Sequence, residues 1–356
     1  MLQLPSGHTF SHLCRKMLIT WPKGNLSTFI INRAKKEKTR ERGSEMILSV
    51  TMNPSVDISY PLKQFKLNEI NRIEHVSKTA GGKGLNVTRV ISQLEEDVLA
   101  TGVIGGTLGD FINQELKKAG IKNDFLKTEK ESRNCIAILH EGMQTEILES
   151  GPTLSLKEGK AFLDKFEGLL SKTSFVTISG SLPKGLPDDF YHQMLVISHK
   201  KDVPVILDSS GESLKQVLLH KEKPFAIKPN HTELSQLIGK EVNNDRNLLK
   251  EVLSHELFND IECVMVSMGS KGALVKYKDR FYNAIIPKIN VVNPVGSGDA
   301  TVAGLAVSLN RGESIETAIK TSMTAGMLNT IEAGTGSVNL NHFLHYFNLV
   351  EINEIY

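Results

Sequence analysis

The chain has 356 residues, 40% hydrophobic and 23% charged, with 42 Lys+Arg against 40 Asp+Glu for a formal net charge of +2. Such a composition gives a globular chain with ample core, and so small a charge makes no electrostatic case for nucleic acid or an anionic membrane as the main partner. No apolar run approaches the ~18–20 residues that span a bilayer, and the three cysteines, Cys14, Cys135 and Cys263, are too widely spaced for a CxxC pair, so a disulfide framework and a zinc site are unsupported and a reducing cytoplasm fits best.

Residues 1–45 read differently from the rest, with nine Lys/Arg against Glu37, Glu41 and Glu45. An Arg-rich, acid-poor stretch is compatible with a transit peptide, yet a strand-like run begins abruptly at Met46. The preferred reading takes Met46 as the natural start and residues 1–45 as a basic, disordered leader foreign to the native protein. That leaves 46–356 as the folded domain.

From Met46 onward, short β-like runs at 47–52, 99–104, 175–179, 203–207, 225–227 and 264–267 alternate with helical stretches at 84–94, 109–119, 187–200, 232–237 and 301–309. Short apolar strands, each followed by a helix, predict parallel pairing with helices on both faces, a doubly wound α/β sheet. Residues 57–79 and 133–148 break the alternation with period-two patterns and predict extra antiparallel strands outside the main sheet. A small β lid of this kind would exclude water from the strand ends. Its exposed edges invite a second copy of the chain, hence a homodimer.

Ligands in such sheets bind beyond the carboxyl ends of the strands. There the chain carries Gly180-Ser181, Asp208-Ser209-Ser210, Lys228-Pro229-Asn230 and Ser267-Met268-Gly269, four strand ends of similar chemistry. The run Gly81-Gly82-Lys83-Gly84-Leu85-Asn86 permits close backbone approach to a ligand and offers an amide at Asn86. It lacks P-loop spacing, and taken alone it is a helix-start turn. Asn293-Pro294-Val295-Gly296-Ser297-Gly298-Asp299 leads into a small-residue helix. Its glycines can turn successive N–H groups into one volume at a positive helix end, which predicts a phosphate site. Asp299 then has two readings: an N-cap, or a base that takes the proton from the group attacking the phosphate.

With a GGKGxN block at Gly81 to Asn86 and a GxGD block at Gly296 to Asp299, the region 46–356 resembles the ribokinase-like (PfkB) family of sugar kinases. The stretches from Thr51 to Tyr60, Arg133 to Gly142 and Asn293 to Thr301 look most like its tagatose-6-phosphate kinase branch, which serves lactose and galactose catabolism. The resemblance implies a ribokinase-like fold and use of ATP and Mg²⁺. It also implies phosphorylation of tagatose 6-phosphate at C1 to give tagatose 1,6-bisphosphate. The nearest alternative is 1-phosphofructokinase or 6-phosphofructokinase chemistry of the same family. A non-catalytic sugar-phosphate sensor is an alternative of another class, and the intact Asp299 argues against it.

The resemblance further implies roles for single residues. Asp299 would be the base, with Gly296, Ser297 and Gly298 lining the transferred phosphate. Asp57, Gly81, Gly82, Asn86 and Ser181 would hold the sugar. Arg133 would grip the phosphate already on it, with Lys83 and Arg72 as further candidates for that task. On the nucleotide side, Lys228 and Asn230 would serve ATP and Glu233 would organise Mg²⁺ through water. Ser267, Gly269 and Gly272 would form the ATP-phosphate turn, and Asn329 would lie near adenine.

Overall fold

The structure, a computed structural model, describes residues 46–355; the leader reading of residues 1–45 falls outside them. β1 (Met46–Thr51) opens the main sheet, β2 (Ser55–Leu62) and β3 (Ser77–Gly81) leave it, and α1 (Lys83–Gln93) and β4 (Val98–Gly105) return. After α2 (Gly106–Lys118), β5 (Lys122–Asn123) and β6 (Leu126–Thr128) comes a second excursion, β7 (Arg133–His140) and β8 (Met143–Leu148). The alternation then resumes with α3 (Leu156–Leu169), β9 (Thr173–Ser179), α4 (Phe190–Lys200), β10 (Val205–Asp208), α5 (Gly211–Leu219) and β11 (Ala226–Ile227). It continues through α6 (His231–Ile238), α7 (Arg246–Leu253), β12 (Cys263–Ser267), β13 (Ala273–Tyr277) and β14 (Arg280–Ile285). α8 (Ser297–Asn310), α9 (Ile315–Thr330), α10 (Phe343–Leu349) and β15 (Glu351–Ile355) complete the described chain.

The main sheet runs β5-β4-β1-β9-β10-β11-β12-β13-β14-β15. Pairing is parallel up to β12 and antiparallel beyond it. The parallel strands are mostly apolar and lack a polar face because both faces are covered, with Ser49 of β1 and Thr177 of β9 buried among them. Leu48, Val50, Val176, Ile178 and Leu207 join Phe162, Phe190 and Leu214 in one core, while Ile47, Phe175, Ile206 and Met265 join Val90, Val302 and Ile319 in the other. Adjacent residues of one strand thus serve opposite layers, as the pleat requires. The expected doubly wound, mostly parallel sheet with helices on both faces is present. Its antiparallel edge of β13, β14 and β15 is an addition to the sequence reading. The β13–β14 hairpin turns at Lys278, in the left-handed region at φ 53°, without the glycine that announces such a turn.

The smaller sheet has the order β3-β2-β7-β8. Its outer pairs are antiparallel as expected, but the central pair β2–β7 is parallel, with Ser55 opposite Arg133 and Leu62 opposite His140. Connectivity is the reason: between these strands the chain passes through α1, β4 and α2 in the main body, which makes the link a crossover and not a hairpin. Residues 63–76 form no strand, so the segment expected over 57–79 is two strands separated by a loop. Val56, Ile58 and Ala80 pack with Leu85, Ile104 and Ile112. Leu139, Met143, Ile147 and Leu148 stay exposed.

Candidate active site

The turn before α8 is built by residues that cannot be exchanged freely. Asn293 accepts from the Val295 N–H at 3.0 Å and donates to the Ala333 carbonyl at 3.0 Å, and Gly296 caps the helix at φ 80°. A Cβ on Gly296 would come within 2.5 Å of Thr335 Cγ2. Gly296 provides no side-chain cap, and Asp299 lies three residues further on, inside the first helical turn. That position excludes the N-cap reading of Asp299. Its carboxylate instead accepts from Asn86 Nδ2 at 2.7 Å and is only 6% exposed. Burial, with the charge of Asp208 adding to it, pushes the Asp299 carboxyl up to about 7, against the Asn86 hydrogen bond and the charges of Lys83 and Lys228. A carboxyl poised there is well matched to taking up a proton near neutral pH.

Around it the strand ends supply paired charge. Lys228, after β11, makes a 3.4 Å ion pair with Asp208 at the end of β10, both almost fully buried. Lys228 Nζ also lies 3.2 Å from where a Cβ on Gly298 would stand, so the ammonium comes close against the first turn of α8, where a larger residue would push it back. A cation against the positive end of a helix is repulsive unless an anion sits between them. Lys83 opens α1 beside the same cluster: Asp208 first, then Asp299 and Glu233, raise its pKa, with burial opposing. Its electrostatic neighbours are therefore groups of the main-sheet side. Ser181 is exposed just past β9, next to Gly180, which faces the Lys83 side chain.

Asp57 occupies the opposite wall, on β2. Ser55 Oγ donates to it at 2.6 Å; burial raises its pKa while Ser55, Arg89, the Gly82 N–H and Arg133 oppose. Gly81 must be glycine, because a Cβ there would stand 1.9 Å from the Asp57 carboxyl carbon. Gly82 caps α1 at φ 95°. Arg133 donates through Nε to the Asn53 carbonyl at 3.1 Å and through Nη1 to the Glu149 carbonyl at 3.0 Å. Arg72 is exposed on the 63–76 loop.

Three expected nucleotide residues have prior engagements. Asn230 and Glu233 form a capping box on α6, with the Glu233 N–H on Asn230 Oδ1 and the Asn230 N–H on Glu233 Oε2, each at 2.9 Å. Asn329 is wholly buried; it donates to the Val295 carbonyl at 2.8 Å and accepts from the Gly336 N–H at 2.8 Å. It braces the turn before α8 from behind instead of facing a space where a base could stack. In the 267–272 turn, Gly269 has φ 58°, and a Cβ on Gly272 would overlap the Ala284 carbonyl of β14 at 2.0 Å. Ser267 closes β12, its N–H on the Pro229 carbonyl at 3.2 Å.

The profile of the pfkB family carbohydrate kinases matches residues 50–341. The chain belongs to this family of carbohydrate kinases. A tagatose-6-phosphate kinase of Staphylococcus epidermidis is 51% identical over 310 residues, 87% of this chain and 100% of that protein. In fold, the chain is similar to Escherichia coli phosphofructokinase-2 in complex with potassium, at TM-score 0.79 and 24% identity over 86% of this chain and 98% of that one. It is also similar to Arabidopsis thaliana ribokinase complexed with ribose and ATP, at TM-score 0.70 and 21% identity over 85% of this chain and 99% of that one. The ribokinase-like fold and phosphotransferase class follow, and nucleotide use is consistent with the family. Among the described residues no helix is long and apolar enough to cross a membrane.

The resemblance implies magnesium with the nucleotide, linked through water to Glu233. Among the described residues no three His, Cys, Asp or Glu side chains group as a metal site. Magnesium keeps several waters and takes phosphate oxygens, so it needs only one or two carboxylates. Glu233 fits that role with the oxygen its capping box leaves free. Two charged residues of the site carry no assigned role in the sequence reading, Asp208 and Arg89. Asp208 stands at a strand end already marked as ligand-facing. Arg89 follows Asn86 by three residues and so shares its helix face, which was the available signal.

Proposed function

We propose that the protein transfers the γ-phosphoryl group of ATP to C1 of tagatose 6-phosphate, giving tagatose 1,6-bisphosphate. The observation that carries this is the buried Asp299 carboxylate in the first turn of α8, where Asn86, Lys228 and free helix N–H groups converge. Identity of 51% across the full length of the S. epidermidis kinase supports the sugar. Asp299 takes the proton of the attacking C1 hydroxyl, and the N–H groups of Gly298 and Asp299, with Lys228 and Lys83, stabilise charge on the transferring group. Asp57, Asn86 and the backbone of Gly81 and Gly82 orient the sugar, with Ser181 at its rim. Mg²⁺, held from Glu233 through water, would neutralise the nucleotide phosphates when bound; Lys228, Asn230 and the Ser267–Gly269–Gly272 turn would line the nucleotide side. Incubation with ATP, Mg²⁺ and tagatose 6-phosphate tests the reading: ³¹P NMR should show a second phosphate monoester on the same hexose, and unchanged sugar phosphate would contradict it.

Arg133 is the proposed grip on the 6-phosphate, and its guanidinium has N–H groups beyond the two that bind carbonyls. Arg133→Ala should raise KM for the sugar phosphate ~10–100-fold, as expected for a charge-assisted hydrogen bond of ~1.5–3 kcal/mol. KM for ATP should stay within about twofold; equal rises for both substrates would make Arg133 purely structural.

The small sheet is read as a lid, and its exposed Leu139, Met143, Ile147 and Leu148 as the contact with a second copy. Light scattering should then give a dimer for the native chain and a monomer for Ile147→Asp. An unchanged mass for the variant would remove this surface from the interface.

A further inference from the structure

Arg89, half-buried on α1, ties three segments of the site together. Its guanidinium donates to the Ala80 carbonyl at the end of β3, to Asn86 Oδ1 on its own helix, and to the Thr335 carbonyl at 3.0 Å in the segment after α9. One residue further on, a Cβ on Gly336 would come within 2.9 Å of Arg89 Nη2, so the segment is fitted closely to this side chain. The next turn of α1 repeats the tie: Gln93 donates to the Gly336 carbonyl at 3.2 Å and accepts from the Val338 N–H at 2.7 Å.

An asparagine amide has two ends of opposite character and similar shape, so its orientation is decided by its partners. Arginine offers donors only. With Arg89 on one side, Asn86 must turn Oδ1 toward the guanidinium, and its NH₂ group is left facing Asp299 Oδ2 at 2.7 Å. Asn86 is 5% exposed, so water does not compete for that choice. From this geometry we infer that Arg89 is a positioning residue for phosphoryl transfer: it fixes the Asn86 amide so that it donates to the Asp299 carboxylate and keeps that carboxylate ionised. This rests on the reading of Asp299 as the base.

The consequence of losing Arg89 follows directly. A freed amide can turn over and offer Oδ1 to Asp299, which an ionised carboxylate rejects and a protonated one accepts. The other charged groups facing Asp299 are Lys228 and Asp208 from the strand ends and Lys83 from α1. Asp57 flanks Arg89 on the sugar side, and Glu233 lies beyond Lys83. None of these fixes the Asn86 amide, so its orientation depends on Arg89.

The test is the pH profile of kcat/KM in native protein, Arg89→Met, Asn86→Ala and the double variant. Loss of one hydrogen bond to a charged group should move the acid limb of Arg89→Met upward by about one to two pH units. Its alkaline plateau should stay within about threefold of native, since the base is still available once ionised. In the Asn86→Ala background, Arg89→Met should add no further shift. Arg89→Lys, which keeps a donor-only cation, should fold and keep its limb closer to native, and it serves as the variant of choice if Arg89→Met does not fold. A lower plateau with an unmoved limb would make Arg89 a structural brace and overturn the inference. An undiminished shift in the Asn86→Ala background would also overturn it, because the guanidinium charge would then act on Asp299 directly. Titration of the ¹³C-labelled Asp299 carboxyl in native protein and Arg89→Met reads the same effect without catalysis. It therefore decides whether Arg89, through Asn86, sets the charge of Asp299, separately from the test of Asp299 as the base.

Discussion

Asp299→Asn should lower kcat by ~10²–10⁴, the usual contribution of general base catalysis, while leaving the affinities for ATP and sugar phosphate nearly unchanged. The substitution keeps the size of the side chain and an oxygen to accept from Asn86, and it removes only the ability to take up a proton. Because the native carboxyl is pushed up to about 7, kcat/KM of the native enzyme should fall tenfold per unit below about pH 7 and be flat above it; the Asn variant should lack that limb. Stability should change in the opposite sense. A carboxyl whose folded-state pKa is raised contributes stability that is full below its ordinary range and is lost as pH rises through the folded value. At pH 8 the native fold holds a buried charge that the variant does not, so Asp299→Asn should be the more stable protein by ~1–4 kcal/mol. A variant with more than about a tenth of native kcat would end the base assignment.

Lys228→Met should damage both the fold and the reaction. Asp208 and Lys228 are almost fully buried and 3.4 Å apart, and removing one partner of a buried pair leaves an uncompensated charge at a cost of ~3–5 kcal/mol. Lys83 remains near Asp208, so the expected loss is at the lower end, about 3 kcal/mol, or a fall in Tm of roughly 5 °C or more. Catalysis should drop ~10²–10³-fold, the range for deleting one donor aimed at developing charge, and KM for ATP should rise. An unchanged Tm would mean that Asp208 does not depend on Lys228. Unchanged kcat would place Lys228 outside the transfer step.

The doubly wound sheet could be read from the sequence because each parallel strand is buried on both faces and therefore appears as a short, mostly apolar run without a polar face, as in β1 and β9. The direction of β2 against β7 was not legible. Period-two alternation gives the face of a strand but not its partner, and the long excursion through the main body set the parallel register. The edge strands β13 to β15 were hidden for a related reason, since the Lys278 turn carries no glycine. Within the site, Asp299, Asn86, Gly81 and Lys228 were visible because their chemistry is tied to glycines and strand ends. Asn329 shows the limit of motifs: it was given a ligand-facing role, and its amide is taken up by a local bonding duty, the brace behind Gly296. Arg89 was passed over because two of its three partners, Ala80 and Thr335, are backbone carbonyls, and Thr335 lies more than two hundred positions away.

The assignment of substrate turns on one stereocentre, C4 of the ketohexose. With ATP and Mg²⁺ held constant, kcat/KM should be compared side by side for tagatose 6-phosphate, fructose 6-phosphate and fructose 1-phosphate. The structure and its family predict that tagatose 6-phosphate leads by roughly tenfold or more, the discrimination that one correctly paired hydroxyl provides at least. Preference for either fructose phosphate, or tight binding of all three with no ADP formed from any, would contradict it.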